Sequence, residues 1–217
     1  MQRRRNALLS ALSAVLLIST AGNSATIDMN GPRRAVGRED DVRVDAELNR
    51  DTVSSHANIG VTYQIQNLTE APIAFADKVS DTSYDSDTQT ITIALGAEVP
   101  TGAAMPHLVI IASGETKTFR CGAPVVVSTP NVRSPWTQVP RYVQIKVTVL
   151  RDLKAFAALI DRQNKTAAAP PLSNAAFDSW VERVASVYLN KIPVRWDART
   201  PNHVIDAADS APAGGGF

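Results

Sequence analysis

One cysteine and three histidines leave this sequence little to build conventional site chemistry from. A lone Cys121 cannot close a disulfide within its own chain, so the fold must hold by packing. Charge of one sign is also missing. The 22 basic and 21 acidic side chains give a net charge of +1, which argues against nucleic acid or an anionic membrane surface as partner. No Ser-His-Asp order, glycine-rich phosphate loop or paired-histidine motif is present. The expectation is therefore a protein without catalytic residues, metal or cofactor.

Long apolar runs are absent except at the start. Met1-Gln2-Arg3-Arg4-Arg5-Asn6 is basic without an acid, and Ala7 to Ile18 is apolar apart from two serines. That run falls short of the roughly 20 apolar residues that span a bilayer core. It has the length of a signal-peptide core, and small residues from Ser19 to Ala25 follow it. Residues 1–25 read as a secretory signal peptide, cut after Ala21, Ser24 or Ala25. A membrane-anchoring helix is the rival reading. Arg4-Arg5 raises the twin-arginine route, but no large apolar residue stands at the position that route favours. Ordinary secretion fits better, and the expected location is periplasmic or secreted. Removing residues 1–25 takes three arginines and no acid out of the 22 basic and 21 acidic side chains, leaving a net of −2. With no further apolar run of that length, no membrane span is expected in the mature chain.

Residues 26–41 are polar, mixed in charge and hold Gly31-Pro32 and Gly37, which predicts a flexible lead-in. Over 42–150 the pattern has period two, the mark of half-buried strands. Val42, Val44, Ala46 and Leu48 alternate with charged residues. Ile59, Val61, Tyr63 and Ile65 share one face; so do Ile91, Ile93 and Leu95, and later Val143, Ile145, Val147 and Val149. Shorter strands are expected at Ile73–Phe75, Leu108–Ala112, Thr116–Phe119 and Val125–Val127. Strands with one apolar face must pair face to face, which predicts a two-sheet sandwich. A closed barrel satisfies the same alternation. The expected core is Ile59, Val61, Tyr63, Ile65, Ile91, Ile93, Val143, Ile145 and Val147.

The period then changes to that of a helix. Asp152 can cap a helix with the stripe Leu153, Phe156, Ala157, Ile160. A second, starting at Ser173 or Asn174, would carry Phe177, Trp180, Val181, Val184 and Tyr188. Ile192 to Trp196 suits a short edge strand. Residues 151–197 are thus expected to be a C-terminal helical extension, and 198–217, ending in Gly214-Gly215-Gly216-Phe217, a disordered tail.

The stretch from Val61-Thr62-Tyr63-Gln64-Ile65-Gln66-Asn67 through Leu68-Thr69-Glu70-Ala71-Pro72-Ile73 resembles the passage between the second and third strands of bacterial immunoglobulin-like domains. Ser113-Gly114-Glu115-Thr116 is similar to a tight turn of such domains. The resemblance covers about half the chain at superfamily level. It implies a mainly β, immunoglobulin-like two-sheet sandwich and carries over no catalytic residue. The inter-sheet cysteine pair and the third-strand Trp of antibody-type domains are missing.

Four groups could carry chemistry. Cys121 with His107 could be a thiol nucleophile and its base, or Cys121 a small buried thiol. Met105-Pro106-His107 could offer soft ligands to copper, although His56, His203 and Met29 make no recognisable spacing with it. Asp77, Asp81, Asp85 and Asp87 could face a calcium ion or simply build a polar turn. The segment 128–141 holds three prolines with Arg133, Trp136 and Arg141 between two apolar strands. Prolines stiffen a loop, and Trp and Arg dominate binding hot spots. Arg133, Trp136 and Arg141 are the expected contacts to a protein partner in the cell envelope; folding of Trp136 over the core is the alternative. The leading expectation is an exported, non-enzymatic immunoglobulin-like binding module. The alternative is a periplasmic hydrolase or metal-binding protein with a site assembled from distant residues.

Overall fold

A computed structural model describes residues 31–98, 104–127, 139–166 and 170–197. The expected signal peptide and tail lie outside them. The fold is mainly β. In chain order the strands are β1 (Arg34–Glu39), β2 (Val42–Leu48), β3 (Thr52–Val53), β4 (His56–Asn67), β5 (Ile73–Ala76), β6 (Val79–Asp85), β7 (Thr90–Gly96), β8 (Leu108–Ile111), β9 (Thr116–Val126) and β10 (Tyr142–Leu150). A 3-10 turn (Leu153–Phe156) leads into helix α1 (Ala157–Lys165), and helix α2 (Asn174–Arg183) follows. The chain then returns to strands β11 (Val184–Tyr188), β12 (Ile192–Pro193) and β13 (Arg195–Trp196).

Two sheets enclose one core. The first has the order β1-β2-β4-β9; the second has β6-β7-β10-β5-β8, with β11 and β12 on the other side of β10. β7 and β10 run parallel, pairing Ile91 with Val143, Ile93 with Ile145 and Leu95 with Val147, so their apolar residues share the inner face. All nine expected core residues are buried there. Tyr63 stacks on Phe119 with centroids 5.3 Å apart and meets Phe75 edge-on at 5.8 Å. The sheet edges also approach each other: the Thr82 hydroxyl of β6 donates to the Pro124 carbonyl of β9 at 2.7 Å, and Asn190 N–H donates to the Val36 carbonyl of β1 at 3.1 Å.

Gly96 ends β7 with φ +92°, and a Cβ there would collide with the Thr148 carbonyl. The turn it makes frees β10 at Val149, where Phe75 of β5 takes over the pairing. A buried asparagine closes the opposite sheet. Asn67 Nδ2 donates to the carbonyls of Ala71, Ile111 and Ala112 at 2.8, 3.1 and 3.2 Å. Its Oδ1 accepts from the Thr69 N–H and hydroxyl at 3.0 and 2.7 Å. The Asn that ends the alternating strand thus ties two turns together.

Four expectations are corrected. Residues 34–39 of the expected lead-in are a strand of the first sheet. Ala35 and Gly37 are its inward residues, so no large side chain betrays it, and Asp40 and Asp41 (φ 42° and 61°) make the tight left-handed turn into β2. The helices are an excursion between β10 and β11, not a C-terminal extension. The second helical stripe also breaks: Trp180 is buried, but α2 stops at Arg183, and Val184 to Tyr188 pair antiparallel with Leu150 to Lys146. The open side of β10 outweighs local helix preference for this β-branched segment. In addition, Asp152 makes no capping bond and takes a left-handed conformation, while Ser173 accepts from the Ala176 N–H as a cap at 3.2 Å.

Both helices lie on the outer face of the second sheet at one end. Phe156 and Trp180 are buried there with Ala74, Ala76, Ala97, Met105, Leu108 and Leu150. No helix among the described residues is long and apolar enough to cross a membrane.

Candidate binding surface

Of the expected contact residues, Arg133 and Trp136 lie outside the described residues. Arg141 lies within them and is exposed. Both stems of their segment are held. On one side Val127 N–H donates to the Ser55 carbonyl at 2.8 Å; on the other, Arg141 N–H donates to the Gln89 carbonyl at 2.9 Å and the Arg141 carbonyl accepts from Val194 N–H at 2.8 Å. The stems belong to different sheets, β9 and β10, so the segment joins the two layers at one end. Val126, on the first stem, is 65% exposed.

The other candidate groups are dispersed. Cys121 is half-buried on β9 and lines a hollow of about 640 Å³ with Asn49, Asn58 and His56. His107 is exposed before β8 and lines a separate hollow of about 360 Å³ with Asp77. Burial first, and then the charge of Asp77, push the Cys121 thiol up to about 11, the reverse of what activates a nucleophile. Met105 is buried against Phe156 and Trp180 while His107 is exposed; both border the smaller hollow, but no further soft ligand joins them there among the described residues. Asp77 accepts from the Tyr63 hydroxyl at 3.3 Å. Asp85 accepts from the Thr88 hydroxyl at 2.7 Å and the Asp87 N–H at 2.9 Å; these bonds, the Thr88 hydroxyl foremost, hold its carboxyl below the usual range. Asp77 and Asp85 thus bond to their own surroundings. Among the described residues no three His, Cys, Asp or Glu side chains gather as metal ligands would.

Asn67-Leu68-Thr69 matches the Asn-X-Thr pattern of a glycosylation acceptor, but with Nδ2 buried against three carbonyls the folded chain has no room for a glycan there.

One surface was not legible in the sequence. Tyr142, Gln144 and Lys146 point outward from β10, and Tyr188 of β11 stands directly across from Lys146. Tyr142 and Tyr188 are 39% and 57% exposed. Each has a lysine by its ring: Lys146 Nζ is 5.5 Å from the Tyr188 centroid, and Lys191 Nζ is 5.9 Å from that of Tyr142. Burial pulls the Lys146 ammonium down, but the hydrogen bond and charge of Glu98 outweigh it and set it above its ordinary value. The outward residues of β10 do alternate in the sequence, but Tyr188 fits a helical stripe equally well, which hid the pairing.

Compared with known protein families, curated proteins and solved structures, the chain matches none.

Proposed function

We propose that this protein is an exported, non-enzymatic immunoglobulin-like module that binds a protein partner of the cell envelope through the end of its sandwich where segment 128–141 joins the sheets. The observation that carries this reading is the anchoring of that segment: its stems are fixed in opposite sheets by the Val127–Ser55 and Arg141–Gln89 hydrogen bonds, with Arg141 and Val126 exposed beside them. Trp and Arg are the residue types that dominate binding hot spots between proteins, and the segment between these stems contains both. The basic and apolar start of the chain supports export, and the buried alternating strands support the sandwich.

The mature chain, used to capture partners from an extract of its own envelope, should retain a partner that is lost with Trp136→Ala and with Arg141→Ala. Turnover of a substrate that Cys121→Ala or His107→Ala abolishes would overturn the reading in favour of an enzyme. Secreted protein should begin between residues 22 and 26; recovery of Met1 to Arg5 in that pool would remove the export element.

A further inference from the structure

The helices cover only one end of the outer face of the second sheet. Among the described residues the other end is uncovered, and it carries two exposed aromatic rings on the paired strands β10 and β11. Tyr142 and Lys146 are four residues apart on β10, about 13 Å at the rise of a β-strand, and Tyr188 faces Lys146 across the ladder. Polar side chains fill the interval. Gln144, which donates to the Leu189 carbonyl at 3.4 Å, lies between the tyrosines, and Thr92 is its partner on β7.

We propose that this face is a platform for a neutral glycan, whose sugar rings lie against Tyr142 and Tyr188. Two chemical features of a sugar meet two features of the face. The C–H side of a pyranose ring is apolar and flat, and it takes an exposed aromatic ring as partner. The hydroxyls at its rim each donate and accept, and Gln144, Thr92 and the lysine ammoniums supply the complementary groups. Tyrosine offers this contact at low cost in side-chain freedom, and here the adjacent lysine fixes each ring further.

Charge selects the uncharged class. Lys146 Nζ is bonded to Glu98 Oε2 at 2.6 Å, and Lys191 Nζ to the Thr90 hydroxyl at 3.0 Å, close enough for its charge to act on Asp85. The exposed Asp81 lies across from Ala94 on the same sheet. The face therefore has no surplus of positive charge to attract an acidic polysaccharide or a nucleic acid. A protein partner would call for an apolar centre with a polar rim; here the centre is polar and the aromatics stand at its two ends.

The proposal is independent of the segment 128–141, and separate variants test it. The full mature chain would be run in affinity electrophoresis through gels holding a mixed-linkage β-glucan, xylan, amylose or dextran, with polygalacturonate as the acidic control. Retardation by one or more of the neutral polymers is expected. It should weaken by about tenfold or more in Tyr188→Ala and in Tyr142→Ala, both with the melting temperature of the parent. Trp136→Ala and Arg141→Ala should be retarded as the parent is. Absence of retardation by every neutral polymer, unchanged retardation of the Tyr142→Ala/Tyr188→Ala double variant, or a preference for polygalacturonate that salt abolishes would each overturn it. So would loss of a captured protein partner in the double variant when no glycan is bound.

Discussion

The indole N–H of Trp180 donates to the carbonyl of Ala97 at 3.2 Å. Ala97 follows the turn at Gly96, so this bond fastens α2 to the chain just after β7 leaves the sheet. Phe156 meets the same indole edge-on at 5.7 Å, which brings the turn before α1 into the same contact.

Replacing Trp180 therefore separates the packing from the hydrogen bond. Trp180→Ala should cost about 3–5 kcal/mol, as large truncations in a core do. Trp180→Phe keeps much of the ring but leaves the Ala97 carbonyl without its donor, a loss of about 1–3 kcal/mol. Urea unfolding of the parent and both variants checks the order. Equal losses would mean that the ring's area contributes little.

At Asn67 the two ends of one side chain are separable. Asn67→Asp retains an acceptor for Thr69 but places a carboxylate oxygen against the Ala71, Ile111 and Ala112 carbonyls. It should destabilise at neutral pH by at least as much as Asn67→Ala, about 2–4 kcal/mol for a buried network left incomplete. Thermal unfolding tests this; a mild Asn67→Asp would show that the amide donors matter little.

Two glycines with positive φ should respond differently to alanine. At Gly114 (φ +73°) a Cβ meets nothing within 4 Å, so Gly114→Ala should cost about 1–2 kcal/mol for the left-handed conformation alone. At Gly96 the same substitution adds a clash with the Thr148 carbonyl. Gly96→Ala should be the more damaging by a wide margin, seen as a lower denaturant midpoint or loss of folded protein.

The thiol of Cys121 gives a pH dependence with a definite sign. Its folded value, raised from an ordinary 9.0 to about 11, means that the native chain holds the proton longer than the unfolded chain. The associated stability is complete below about pH 9 and falls as pH rises towards about 11, because the unfolded state ionises first. Denaturation at about pH 8 and about pH 10 should show a larger drop for the parent than for Cys121→Ala. Alkylation of the native thiol should be slow at neutral pH; rapid alkylation there would contradict the shift.

How much the sequence disclosed depended on whether one period explained each residue. In β4 and β10 large aliphatic residues alternate with polar ones, and no helix satisfies that pattern. In β1 the inward residues are Ala35 and Gly37, too small to signal a buried face; Gly37 must be small because a Cβ there would meet the Tyr188 carbonyl. Val184 and Tyr188 fit a helical stripe and a strand alike, and what decides between them is the open side of β10, which no local window contains. The surface followed the same division. Residue type marked Arg141, whereas Tyr142 and Tyr188 come onto one face only once β10 and β11 lie side by side.

Thr52 and Val53 pair with Arg195 and Trp196, and β1 lies beside β11. The earliest described strands are thus completed by the last. Contacts so distant along the chain repay their loop-closure entropy only when nearly everything between them is in place, and such topologies fold in milliseconds to seconds, slower than helical bundles. A nascent chain still held near residue 196 lacks the partners of β1 and β3 and must expose those edges. The fold is therefore completed only after β11 to β13 emerge, and until then those exposed edges are available to other copies of the chain.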